Sequence, residues 1–157
     1  MPIFDAMDGP VHATLHDAAR TRRLRGWALL GVSIAGLVLL LALSKEDDAV
    51  YALVTGALMT PVFWWLDGRP LRGGLASIRP ATAQATVAPT APARLLRGPA
   101  AVAVLIVLSV LTGLSAAPVV VAIALGAADL IAAGTLIRWE RRHGKRLFVT
   151  GGELFSR

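Results

Sequence analysis

Four long apolar runs, none containing a charge except the last, constrain this chain more than anything else in it: residues 26–44, 49–66, 99–115 and 119–137. A bilayer requires roughly 20 consecutive apolar residues per helical span, and irregular backbone is not tolerated in lipid. The runs therefore predict an all-α integral membrane protein with four transmembrane helices. The overall balance agrees, being 55% hydrophobic and 17% charged with mean hydropathy +0.64. A soluble fold of 157 residues has no interior large enough for that much apolar surface.

The first run follows basic residues and ends in Ala42-Leu43-Ser44, a small-residue pattern resembling a cleavage site. It is longer than the ~7 to 15 residue core of a signal peptide, so it is read as a retained helix. Lys45-Glu46-Asp47-Asp48 then makes a tight polar loop, and Pro61 is expected to kink the second helix. Residues 67–98 are the longest connection, and their middle, 80–93, consists of Ala, Thr, Pro, Val and one Gln, which predicts a flexible extended linker. It divides the chain into two hairpins, 26–66 and 99–137. Ala116-Ala117-Pro118 allows only a tight turn in the second, with Pro118 suited to the first turn of the fourth helix.

Orientation follows from the positions of the basic residues. Of sixteen Lys and Arg, all but Lys45 fall in 1–25, 67–98 or 138–157, the segments on one side of a four-span topology. The positive-inside rule places that side, and both termini, in the cytoplasm. Trp27, Trp64, Trp65 and Trp139 map to the same ends of their helices, where an indole is most comfortable. The expected location is a bacterial cytoplasmic (inner) membrane, since Arg outnumbers Lys fourteen to two in an Ala-rich chain, as in GC-rich genomes.

The net charge of +6 does not point to nucleic acid, because the basic residues flank apolar runs instead of lining a polar face with exposed aromatics. They are read as contacts to anionic lipid headgroups, chiefly Arg22, Arg25, Arg94, Arg97, Arg141 and Arg142. The first 25 residues are read either as an amphipathic surface helix capped by Asp8, with Val11, Leu15, Ala18 and Leu24 on its apolar side, or as a solvated leader. Arg22-Arg23-Leu24-Arg25-Gly26 is echoed by Arg94-Leu95-Leu96-Arg97-Gly98 and Arg69-Pro70-Leu71-Arg72-Gly73, either as a duplicated clamp or by chance in an Arg-, Leu- and Gly-rich chain.

Asp129 is the one ionisable residue inside a predicted span, and counting along the fourth run puts it near the bilayer midplane. A carboxylate there costs roughly 2.5 to 3.5 kcal/mol on insertion scales and requires protonation, hydrogen bonding or a partner. Ala122, Gly126, Asp129 and Ala133 share a small-residue stripe suited to close helix approach. Comparable stripes are Ala28, Gly31 and Ala35 in the first run, Ala52, Gly56 and Thr60 in the second, and Ser109 and Gly113 in the third. The hydroxyls of Ser33, Thr55, Thr60, Ser109 and Thr112 are the expected neighbours of Asp129, with Ser109 and Thr112 completing a polar site, since no run contains Arg, Lys or His. Three readings follow: a proton or cation site, a match to a polar group on another protein, or a protonated acid bonded to a neighbouring helix.

No catalytic, cofactor or metal site is expected. Cysteine is absent, there is no phosphate-binding glycine loop or G-x-S-x-G, and His12 and His16 have helical spacing but neither a third ligand nor a general base. Gly73-Gly74 and Gly151-Gly152 read as turns. Residues 146–150 and 153–157 flank the latter, predicting a β-hairpin whose Phe148 and Phe155 need a surface to lie on: a partner protein, the central loop or the headgroup region; a disordered tail is the alternative. The functional expectations are a non-catalytic accessory subunit of a larger membrane complex, a small homo-oligomeric proton- or cation-linked transporter or channel using Asp129, or a phage-type lysis protein.

Overall fold

A computed structural model describes residues 14–76, 78–80, 86–87, 92–113, 115–150 and 153–156. Four helices dominate it: α1 (Ala18–Ala42), α2 (Glu46–Ala76), α3 (Pro92–Thr112) and α4 (Ala117–His143). Among the described residues, three stretches are long and apolar enough to cross a membrane, Ala18–Ala42, Glu46–Leu66 and Ala117–His143, with a shorter apolar stretch, Leu96–Leu111, in α3.

The helix boundaries have local causes. Asp17 caps α1 by accepting from the backbone N–H of Arg20 at 2.7 Å. The expected cap, Asp8, and His12 lie outside the described residues, Leu15 belongs to a strand, and the helix that begins at Ala18 is α1 itself, continuous with the first apolar run. Four arginines thus occupy the first two turns of α1 itself. The acids Glu46, Asp47 and Asp48 form the first turn of α2, where the helix dipole favours negative charge, leaving only Leu43 to Lys45 as the loop. α2 continues through Pro61 and through the predicted turn Gly73-Gly74. α3 stops at Gly113, whose φ of +69° suits a residue without a side chain. Pro118 sits in the first turn of α4, and Gly144 closes that helix at φ +64°.

α4 packs antiparallel to α1: Gly26 lies against Gly126 and Leu130, and Gly36 against Val119. The broad contacts are α1 with α4, α2 with α4 and α1 with α3, whereas the chain-adjacent pairs α1–α2 and α3–α4 share little surface. The central pair is therefore α1–α4, flanked by α2 and α3. Its core contains Leu40, Ala52, Ile106, Val110, Val119, Ala122 and Ile123.

At the basic end of the bundle a small sheet of five strands adds a cap. The strands are β1 (Thr14–Asp17), β2 (Arg79–Pro80), β3 (Thr86–Val87), β4 (Leu147–Thr150) and β5 (Glu153–Ser156), in the order β2-β5-β4-β1-β3. β4 and β5 form the expected antiparallel hairpin, pairing Phe148 with Phe155 and Val149 with Leu154. The segment read as a flexible linker instead contributes the end of α2 and both edge strands. Leu147 and Leu154 pack with Ala18, Ala19 and Leu136, joined by Leu75, Ile78, Ile137, Trp139 and Val149, into a second apolar core. Glu140 Oε1 accepts from the Leu147 N–H at 2.7 Å and ties the hairpin to α4.

Candidate functional site

Where the two cores meet, three charges come together. Arg22 Nη1 donates to Asp129 Oδ1 at 3.1 Å, and Arg25 Nε lies 3.1 Å from Oδ2, an ion pair without hydrogen-bond alignment. The Asp129 side chain is 3% exposed, that of Arg22 24% and that of Arg25 45%.

The geometry follows from the packing of glycines. A Cβ on Gly26 would come within 3.0 Å of the Gly126 carbonyl oxygen, and one on Gly126 within 3.1 Å of the Leu30 nitrogen. Two residues without side chains thus bring the backbones of α1 and α4 together. Arg22 lies one turn before Gly26 on the same face of α1, and Asp129 lies just under one turn beyond Gly126 on α4. In an antiparallel pair these offsets point the same way, so the glycine contact sets the distance at which the guanidiniums meet the carboxylate.

This placement sets Asp129 beside the arginines that precede α1's apolar run. The 119–137 run is apolar throughout, but Leu136 and Ile137 belong to the cap core, while Val119 to Ile123 belong to the bundle core. Both kinds of burial demand apolar residues, so the run is continuous across the two cores. Asp129 lies level with the first residues of α1's apolar run.

The expected hydroxyl neighbours do not form this site. Ser33 Oγ donates to Leu30 O at 2.8 Å, Thr60 Oγ1 to Gly56 O at 3.0 Å, and Thr112 Oγ1 to Leu108 O at 2.7 Å, each within its own helix. Thr112 also approaches the backbone oxygen of Ser109, at 3.4 Å. Ser109 lies one turn beyond Ile106, which packs on Gly36, and Gly36 is roughly 16 Å along α1 from Arg25. Ser109 and Thr112 are accordingly far from Asp129.

The packing residues divide similarly. Ala122 and Gly126 are buried, and Gly56 is so close to Ile123 that an added Cβ would meet its Cβ at 2.8 Å. Gly31 and Ala35 are exposed, with nothing within 4 Å of a Cβ at Gly31, and Gly113 is an exposed terminator of α3. The true stripe of α1 is Gly26, Leu29, Ser33, Gly36 and Leu40, one helical face away from the small residues expected to pack. The R-x-L-R-G echo has no common role, because Gly26 meets Gly126 while nothing lies within 4 Å of a Cβ at Gly98.

Of the arginines expected at headgroups, Arg22 is instead committed to Asp129 and Arg25 shared with it. Arg97, Arg141 and Arg142 are exposed, and the side chain of Arg94 lies outside the described residues. Trp27 and Trp65 are exposed, whereas Trp139 packs at the cap and stacks on His143 at 4.1 Å between ring centroids. Phe148, expected to need a surface to lie on, is buried in the protein's own cap and Phe155 is half-buried beside it, with the central segment 67–98 supplying Leu75, Ile78 and the strand β2 there. Among the described residues no cluster of His, Asp and Glu could hold a metal ion.

The sequence reading missed the Arg22–Asp129–Arg25 cluster because it ended the first helix at the edge of its apolar run. The available signal was a pair of glycines, each within one turn of opposite charges: Arg22 and Arg25 before Gly26, and Asp129 after Gly126. No protein-family profile, curated protein or solved structure matches this chain.

Proposed function

We propose that this chain is a multi-pass protein of a bacterial inner membrane, with its basic end and both termini in the cytoplasm, serving as a non-catalytic structural subunit of a larger membrane complex. The carrying observation is the engagement of Asp129, the one acid within the apolar runs, by two arginines of α1. An acid that binds and releases protons or cations during transport needs access to both sides, whereas this one lies 3% exposed between the two apolar cores. The contact of α1 and α4 at Gly26 and Gly126 further supports the reading, because the centre of the helix group is occupied by backbone.

The tied-down cap supports a rigid scaffold over a lysis protein that must rearrange to open a pore. Lipid-facing apolar residues on α2 and α3, among them Tyr51, Leu58, Leu105 and Leu111, offer helix surfaces to partner subunits or to lipid. The test is purification of the tagged chain from its native membrane in a mild detergent or nanodiscs, with mass spectrometry and native sizing. Recovery with a larger assembly at fixed stoichiometry, weakened in Asp129→Asn, is the expected result. Recovery of the chain alone, with pH-dependent proton flux in proteoliposomes that vanishes in Asp129→Asn, would overturn the proposal in favour of a transporter.

A further inference from the structure

The last turns of α4 divide their side chains between two sides of the helix. Trp139, Glu140 and His143 serve the cap: Trp139 packs against its core and stacks on His143, and Glu140 accepts from the Leu147 N–H. Arg138, Arg141 and Arg142, at positions i, i+3 and i+4, lie within an arc of about 100° on the other side. All three are exposed, and none forms an ion pair among the described residues. The acids of α4, Asp129 and Glu140, lie outside the arc. The positive-inside rule counts basic residues near a span whichever way they point, so topology alone does not gather them on one arc.

The arc continues toward the bundle. Gly134, Thr135 and Ile131 lie on it one and two turns before Arg138; Ile131 is 46% exposed, Thr135 is exposed, and nothing lies within 4 Å of a Cβ at Gly134. The Thr135 hydroxyl donates to Ile131 O at 3.0 Å, so this stretch offers an apolar surface. Deeper in the bundle the same arc is covered: Val120 and Ala124 are buried, and Ile123 packs on Gly56 of α2. α4 is thus enclosed by its own chain on this side as far as Ala124 and open from Ile131 to Arg142, roughly 16 Å of helix.

An occupant has to match a surface that is apolar and then cationic along one helix. On the reading of 26–44 as a span, lipid alone does not: Leu130 packs on Gly26, where α1's apolar run starts, and Arg141 and Arg142 lie roughly 16–18 Å further along α4, beyond a headgroup layer about 5–8 Å deep. Nucleic acid is disfavoured as well, since no aromatic side chain lies on the arc. Nor do the chain's own helices supply a match, because past its apolar run α2 carries one acid, Asp67, followed by Arg69 and Arg72.

We propose that the open arc of α4 seats a helix of a partner membrane subunit, apolar beside Ile131 and Thr135 and bearing carboxylates at three- and four-residue spacing beside the three arginines. The proposal deepens the reading of this chain as a subunit and rests on it.

The experiment is photo-crosslinking in the native membrane, with benzoylphenylalanine at Thr135 of the tagged full chain, followed by purification and sequencing of the attached peptide. The expected product is a peptide from an apolar helix that ends in two or more Asp or Glu at that spacing. Arg138→Gln/Arg141→Gln/Arg142→Gln is expected to lower its yield about threefold or more, the combined effect of three exposed ion pairs at the lower end of their range. Arg20→Gln/Arg23→Gln/Arg97→Gln, which takes the same charge from exposed positions on α1 and α3, is expected to leave it unchanged. If the first triple variant loses helicity, Arg142→Glu decides instead, with an expected loss of about twofold or more as one attraction becomes a repulsion. No product, attachment to lipid, nucleic acid, a second copy of this chain or a peptide without carboxylates, or an undiminished yield in the deciding arginine variant, would overturn the proposal; recovery of a larger assembly in the same preparation would leave the subunit reading standing. Recovery of the wild type alone would overturn both.

Discussion

Removing one member of the Arg22–Asp129–Arg25 cluster should cost more than removing its core charges together. Asp129 is 3% exposed, so replacing Arg22 by Met takes a hydrogen-bonded charge away from a buried carboxylate and leaves beside it Arg25, which is itself 45% exposed. Truncating one partner of a buried pair costs about 3–5 kcal/mol, and the half-exposed second arginine brings the expected loss to the lower end, about 3 kcal/mol. Asp129→Leu leaves two arginines, 24% and 45% exposed, that can turn toward water, so its expected cost is smaller, about 2 kcal/mol. In Arg22→Met/Asp129→Leu the exposed Arg25 is what remains of the three charges, and an apolar pair of similar volume restores most of the loss, since such replacements are often neutral. The double variant should then lie within about 1 kcal/mol of the wild type, giving a coupling of about 4 kcal/mol between the two sites. Equilibrium unfolding of all four proteins in mixed micelles, followed by circular dichroism, measures this cycle. Losses below about 0.5 kcal/mol in each single variant, or additive losses in the double, would refute the argument that the charges are buried against one another.

The remaining predictions probe the contacts that position the cluster. Gly126→Ala forces a Cβ to within 3.0 Å of the Leu30 side chain and 3.1 Å of the Leu30 nitrogen, and overpacking of this kind should cost about 1–3 kcal/mol in the same unfolding assay. Gly31→Leu, on an exposed face with open space, should not destabilise the protein and should gain up to about 1 kcal/mol from removing a mid-helix glycine. Leu147→Ala removes a 0% exposed side chain from the cap core and should cost about 2–5 kcal/mol, accompanied by proteolytic cleavage of the tail in membrane vesicles opened to the protease. Glu140→Ala deletes the acceptor of the Leu147 N–H and should speed hydrogen exchange at Leu147 while leaving exchange in α1 near Leu40 unchanged.

What could be read from the sequence follows the physics of each signal. Long uncharged runs report burial in lipid or protein without distinguishing the two, so the helices were legible while the arginine neighbours of Asp129 were not. The 119–137 run reaches from the bundle core into the cap core, and its apolarity is continuous across the boundary. The hairpin around Gly151-Gly152 was legible because short apolar strands flank a turn. The surface it covers was not, since it is assembled from Ala18, Leu75 and Leu136, distant in sequence and individually unremarkable in helices. The linker's poverty in large apolar side chains pointed to flexibility, yet two-residue edge strands need only backbone hydrogen bonds from β5 and β1, which side-chain composition does not report. Small residues failed as packing signals in α1 because that helix has them on two faces, Gly31 and Ala35 on one and Gly26, Ser33 and Gly36 on the other. Only the contact with Gly126 decides between them.

The central claim is that Asp129 sits between Arg22 and Arg25 and holds α1 against α4. Magic-angle-spinning NMR of the chain in phospholipid bilayers, with 15N-arginine and 13C-aspartate and with Asp129→Asn as the subtraction control, measures the distance directly. The account predicts arginine nitrogens roughly 4 Å from the Asp129 carboxyl carbon, as the hydrogen-bonded contact to Oδ1 requires. A carboxyl signal for Asp129 with no arginine nitrogen within about 6 Å, beyond direct contact of paired charges, would contradict it.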